Sequence, residues 1–200
     1  MEKQDSFSHD EALSVITKMI DNTKSKFSDN SFYFLLWGWL VIAACLLQYI
    51  LTTIFELYDI GWIGWPVLML GGSILTFSRV RNDIAATGFV TKMDLFFNML
   101  WLGFAISTWI VIPMLLWKAP EVMMPVVMAL YGFGLFVSGK VLSYNPLTIG
   151  GIFCWGCSFI GFQLDMNNQL LVLAFAICGG YLIPGYLLKQ KSKHGSTSGS

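Results

Sequence analysis

The residues with spacing suited to chemistry are four cysteines: Cys45, Cys154, Cys157 and Cys178. Cys154-Trp155-Gly156-Cys157 is a C-x-x-C, and on a helix its two thiols share one face. Membrane thiol oxidoreductases use such a pair, passing electrons through further cysteines in their outer loops. The loops here contain none. A thiol sunk in hydrocarbon also stays neutral and is a poor nucleophile. Redox catalysis by Cys154 and Cys157 is therefore the weakest of three functional readings, and small packing residues at a helix interface the stronger expectation. No His lies among the apolar segments to complete a metal site.

Ionisable groups inside apolar segments are the usual pointers to function. No Asp, Glu or His falls inside any of them, which argues against a carboxylate proton relay. Lys140 is the one candidate; it lies a turn from a segment end, where a long side chain snorkels to the interface. Gln48, Asn98 and Gln163 are amides suited to bonding between helices. A sharper reading has Gln48 and Asn98 line a pathway together with Trp37, Trp101 and Trp155, with Lys140 a ligand contact at its end. No phosphate-binding glycine loop, Ser-His-Asp set or metalloprotease motif occurs, and the turns are too short to hold a separate active site. No catalytic residue and no cofactor is therefore assigned.

The elements that carry these residues are organised around 31–55, SFYFLLWGWLVIAACLLQYILTTIF. These 25 residues hold no charged side chain. As a helix they extend about 38 Å, enough to cross a hydrocarbon core of roughly 30 Å with some tilt. Apolar on all sides, such a helix belongs in lipid. Similar stretches follow at 62–80, 95–117, 122–144, 147–164 and 170–188. Composition agrees: 56% of residues are hydrophobic and 12% charged, about half the charged share of a soluble domain. The expected fold is all-α, an integral-membrane bundle of six transmembrane helices over 31–188. Pro120 and Asn145-Pro146 are read as breaks between spans.

Residues 1–30 are polar. Ser8-His9-Asp10-Glu11 fits a capping box. Behind it Ala12, Leu13, Ile16, Met19, Ile20, Thr23 and Phe27 recur at helical spacing. This predicts an amphipathic helix lying on the membrane or on the bundle. The start, MEKQDSFSHDEA, lacks an apolar core, so no cleavable signal peptide is expected. Residues 189–200 form a basic tail ending in GSTSGS, which reads as an appended linker.

Six spans put both termini on one side. That side receives Lys3, Lys18, Lys24, Lys26, Arg79, Arg81, Lys92, Lys140, Lys189, Lys191 and Lys193, against Lys118 alone on the other. The bias places both termini in the cytoplasm. Trp62, Trp65 and Trp117 then fall at the outer interface. With its basic residues engaged at the membrane, the chain offers no nucleic-acid surface.

A weak internal echo runs through the spans. Odd spans carry Trp37-Gly38, Trp101-Leu102-Gly103 and Trp155-Gly156. Even spans carry Gly71-Gly72, Gly132 with Gly134, and Gly179-Gly180, and two of them share Pro66-Val67-Leu68-Met69 and Pro125-Val126-Val127-Met128. This would suit three parallel helical hairpins. Small pairs at four-residue spacing, Gly72/Thr76, Gly103/Ser107, Gly134/Ser138 and Gly150/Cys154, permit close packing without defining a dimer face.

The runs SFYFLLWGWLV, YGFGLFVSGKVL, PLTIGGIFCWG and YLIPGYLLK, with the amphipathic lead-in, resemble a family of small six-span membrane proteins from Bacteroidota. The resemblance covers nearly the whole chain. It implies a bacterial inner membrane and brings no activity with it. The leading expectation is a non-enzymatic module that engages a cytoplasmic protein through residues 8–27, or lipid headgroups. A permease or channel for a small neutral or lipophilic solute, lined as above, stands second. Oligomeric state is left open.

Overall fold

In the computed structural model residues 9–87 and 92–197 are described, with side chains described for 31–82 and 95–190. Ser8 of the expected capping box lies outside them. Among the described residues every regular element is a helix. They are α1 (His9–Thr53), α2 (Gly64–Thr87), α3 (Lys92–Lys118), α4 (Met123–Val141), α5 (Asn145–Gly161), α6 (Met166–Ile177) and α7 (Ile183–Thr197). Short 3₁₀ turns, Gly61–Ile63 and Pro120–Val122, lead into α2 and α4. A π-turn, Cys178–Leu182, joins α6 to α7 without a break in helical structure. Five stretches are long and apolar enough to cross a membrane: Ser31–Thr53, Gly61–Asn82, Leu95–Lys118, Pro120–Val141 and Met166–Gln190. The outward faces of α2 and α3 carry Val67, Leu70, Ile74, Phe77, Trp109 and Met114 exposed, a surface that only lipid solvates cheaply.

Three boundaries differ from the sequence expectation. α1 is one helix of 45 residues, about 68 Å long, with no interruption between Asn30 and Ser31. A helix turning down onto the membrane plane needs a break there, and α1 has none. Pro146 opens α5 instead of closing α4, since a proline in the first turn forfeits no helical bond. The chain reverses before it, at Ser143, whose φ of 51° is left-handed. Met166 to Gln169, which lie between the expected spans 147–164 and 170–188, are the first turn of α6, because Asp165 caps it by accepting from the Asn168 amide at 3.3 Å.

Neighbouring helices run antiparallel, as paired contacts along their length establish. On α1 and α2, a Cβ at Gly64 would meet Leu47 at 2.7 Å and one at Gly72 would meet Leu40 at 2.5 Å. On α1 and the last helix, Thr52 meets Asn167 at one end while Gly38 faces Leu182 and Gly185 faces Leu35 toward the other. On α4 and α5, Ser158 donates to the Pro125 carbonyl at 2.8 Å, and Gly139 abuts Thr148 at the opposite end.

The packing is unequal. α1, α4, α5 and the α6–α7 rod form the core, with Val41, Cys45, Met128, Leu135, Leu147, Leu170, Leu173 and Ile177 fully enclosed. α2 leans on α1, and α3 leans on α4. α5, 17 residues and about 26 Å long, is held by backbone contact on two sides. Gly132 and Gly151 bring α4 against it, and Gly150 meets the Gly180 backbone of the π-turn. Such approach is open only to residues without a Cβ.

Candidate functional site

The π-turn is where the bundle departs from regular helix. Such insertions recur at functional sites because the extra residue re-aims side chains on one turn. Here Gly179 and Gly180 seat the turn against Phe153 and Cys154 of α5, and Tyr181 points inward. Its ring meets Phe34 of α1 at 5.2 Å between centroids, Trp101 of α3 at 5.9 Å and Tyr131 of α4 at 6.2 Å, each edge to face. Phe104 lies 4.7 Å from Tyr131 and 5.3 Å from Trp101, and Phe34 to Trp101 at 6.3 Å closes the circuit. Five rings from four elements thus fill the middle of the bundle. Centroid spacings of 4.7 to 6.3 Å are those of rings in direct contact.

The residues singled out in the sequence scatter around this cluster. Trp101 belongs to it. Trp37 turns to α2 instead, its Nε1 donating to Thr76 Oγ1 at 3.2 Å. Gln48 accepts from Trp65 Nε1 at 2.6 Å, a second bond between α1 and α2. Trp155 lies across Gly132 on the outside of α5 and donates to the Ala129 carbonyl at 3.1 Å. Asn98 and Gln163 are exposed. Lys140 is exposed too, its ammonium 5.7 Å from the Phe136 ring, the geometry of a snorkelling side chain. Trp37, Trp101 and Trp155 therefore face three different environments and do not converge on one lumen. Cys154 and Cys157 are both buried on α5; Cys154 Sγ lies 3.5 Å from the Ala176 carbonyl, and all four cysteines are free thiols.

Sequence reasoning missed Tyr131, Tyr181, Phe34 and Phe104. The search for polar groups within apolar spans counted amides, lysine and thiols but not phenols. Including them would have brought out Tyr131 and Tyr181. Gln169 fell between the expected spans 147–164 and 170–188. Gln169 is instead 1% exposed, its Nε2 donating to the Glu121 carbonyl at 2.6 Å and to that of Leu164 at 2.9 Å. This ties the start of α6 to the turn before α4.

Away from the core, an apolar cleft of about 330 Å³ lies between α1 and the start of α2, lined by Leu47, Leu51, Ile60, Ile63, Val67 and Leu68. It offers a ligand no polar handle, and lipid chains suffice to fill it.

Charge divides by end. Arg79, Arg81, Lys140 and Lys189 lie at the end from which the amino-terminal half of α1 projects; Glu56, Asp59, Glu121 and Asp165 lie at the other, with Lys118. Arg79 stands 5.3 Å from the Phe32 ring and Arg81 5.8 Å from that of Phe77. Asp165 has its carboxyl held below the ordinary value, first by the Asn168 side-chain amide at 2.6 Å and then by the Asn168 backbone N–H. Partial burial pushes Tyr144, in the turn between α4 and α5, upward; its hydroxyl donates to the Pro184 carbonyl at 3.4 Å.

Comparison of the chain with protein-family models, with curated proteins and with solved structures gives no match.

Proposed function

We propose that the chain is a six-span protein of a bacterial inner membrane, of the Bacteroidota kind it resembles, that acts as a non-enzymatic docking module. Both termini face the cytoplasm, and residues 8–27 engage a cytoplasmic protein partner. The observation that carries this reading is the continuity of α1 through Asn30 and Ser31. Residues 9–30 extend the axis of a core helix by about 33 Å, clear of the bilayer. A rod of that length, with apolar positions at helical spacing in its sequence, suits docking against another protein.

Other features agree with this arrangement. The arginines and lysines of α2, α4 and α7 gather at the end from which α1 projects, as the positive-inside rule requires of a cytoplasmic face. They also offer contacts to anionic headgroups there. α5, wedged between α4 and the last helix, supplies the sixth crossing and pairs with α6 as α1 does with α2 and α3 with α4. The aromatic plug and the scattering of Trp37, Asn98 and Trp155 give less support to a permease. The absence of cysteines from the connecting loops gives less to an oxidoreductase.

The test compares the full chain with one lacking residues 1–27, both expressed in native membranes and run on native gels after mild solubilisation. The expected result is a larger complex for the full chain and the bundle alone for the truncated one, with equal thermal stability. Equal migration of the two would refute the reading.

A further inference from the structure

The apolar cleft between α1 and the start of α2 has walls of one character and a mouth of another. Leu47 and Leu51 of α1 face Ile60, Ile63, Val67 and Leu68 across about 330 Å³. Leu47, Ile60, Ile63 and Val67 are themselves exposed, so the cleft opens sideways to whatever surrounds the bundle. Each helix contributes about one turn of wall, roughly 6 Å, a length that suits a segment of acyl chain.

The turn at the mouth is held by its own backbone. Glu56 takes a left-handed φ of 54°, the Leu57 N–H donates to the Leu51 carbonyl at 2.9 Å, and the Gly61 N–H donates to the Leu57 carbonyl at 3.0 Å. Trp62 Nε1 donates to the Asp59 carbonyl at 2.8 Å. Asp59 directly precedes the lining residue Ile60, and Glu56 stands three residues before Asp59; both are exposed. Neither carboxylate meets a cation among the described residues. Glu121 and Asp165 lie at the same end of the bundle, against Lys118, whose ammonium stands 4.8 Å from the Trp117 ring. The rim is therefore negative where the wall is apolar. It repels an anionic headgroup and attracts an ammonium, and N–H donors on that ammonium add charge-assisted hydrogen bonds. A soluble ammonium ion would leave the cleft unfilled, and a plain hydrocarbon would leave the carboxylates unpaired.

We propose that the cleft and the Glu56–Asp59 turn together bind one phospholipid with a primary ammonium headgroup, of the phosphatidylethanolamine class. An acyl chain lies between Leu47 and Leu51 on one side and Ile63 and Val67 on the other, and the ammonium bonds to Glu56 and Asp59. The site lies at the end away from the projecting half of α1, so this inference and the docking reading fail separately.

The experiment uses the full chain in non-ionic detergent, titrated with palmitoyl-oleoyl phosphatidylethanolamine, phosphatidylcholine or phosphatidylglycerol, and native mass spectrometry counts bound lipids. The three probes share their chains and differ in headgroup. Phosphatidylethanolamine is expected to bind about fivefold more tightly than either of the others, the upper end for one exposed ion pair. Glu56→Gln with Asp59→Asn should bring the three affinities together. Val67→Trp, at a position 62% exposed, should fill the cleft and weaken all three alike. Thermal midpoints equal to the parent's confirm that both variants are folded. Equal binding of the three lipids by the parent, tightest binding of phosphatidylglycerol, or an ethanolamine preference that survives in the folded double variant would overturn the headgroup assignment. Undiminished binding in folded Val67→Trp would overturn the placement of the chain.

Discussion

The backbone contact between Gly150 and Gly180 allows a sharp test of how α5 is held. A Cβ on Gly150 would overlap the Gly180 carbonyl oxygen and lie 2.9 Å from its carbon and 3.0 Å from the Gly180 Cα. Carbon atoms in favourable contact stand about 3.5–4.0 Å apart, so Gly150→Ala requires α5 to retreat from the π-turn by roughly 0.5–1 Å. The opposing atoms are backbone, and no rotamer change relieves them. Overpacking of this kind costs at the upper end of the usual range, about 3 kcal/mol. Alanine returns about 1 kcal/mol through its better helix propensity. The net loss is therefore about 2 kcal/mol, roughly a 30-fold shift in the unfolding equilibrium. Gly156 on the same helix is the control, since a Cβ there meets nothing within 4 Å, and Gly156→Ala should be neutral or slightly stabilising. The assay is reversible unfolding in mixed micelles by titration with a denaturing detergent. Should Gly150→Ala match the parent, or the two variants lose equally, the wedge between α4 and the π-turn is not what fixes α5.

Two further outcomes are expected. Gln48→Leu removes the acceptor of the 2.6 Å bond from Trp65, and a double-mutant cycle with Trp65→Phe should give a coupling of about 0.6–1.7 kcal/mol; a coupling indistinguishable from zero would show that α2 is held by shape alone. Asp165 has a lowered folded-state pKa, so its capping contribution is fully present above the unfolded carboxylate value of about 4 and is lost as pH falls through the folded one. Hydrogen exchange at the amides of Asn167 and Asn168 should accordingly keep its protection down to about pH 4 and lose it below, beyond the intrinsic pH dependence, and Asp165→Ala should lose it at neutral pH as well.

Much of the architecture was legible because hydrophobic runs of span length have few other uses. The five crossing-length stretches fall where uninterrupted apolar sequence placed them, and Pro120 and Ser143 mark reversals close to the expected turns. Helix ends slipped where local chemistry outranks hydropathy: Asp165 captures Asn168 and starts α6 early, and Pro146 favours a first turn over a stop. The continuity of α1 was hidden because the change from amphipathic to uniformly apolar sequence marks a change of solvent, which a helix can cross unbroken. The π-turn was invisible for a different reason. One inserted residue leaves composition untouched, and Gly179-Gly180 fits an ordinary close-packed helix equally well. The candidate site followed from that turn, so only Trp101 among its members was named beforehand.

Because α1 has no joint, it acts as a shaft. Phe34, Val41 and Cys45 in the core are carried on the same hydrogen-bonded cylinder as residues 9–30. A rotation of the projecting end would turn Phe34 against the rings of Trp101 and Tyr181, whose centroids lie 6.3 and 5.2 Å away. Cutting the shaft with a glycine pair at Asp29 and Asn30 would leave both halves helical and mechanically deaf to one another.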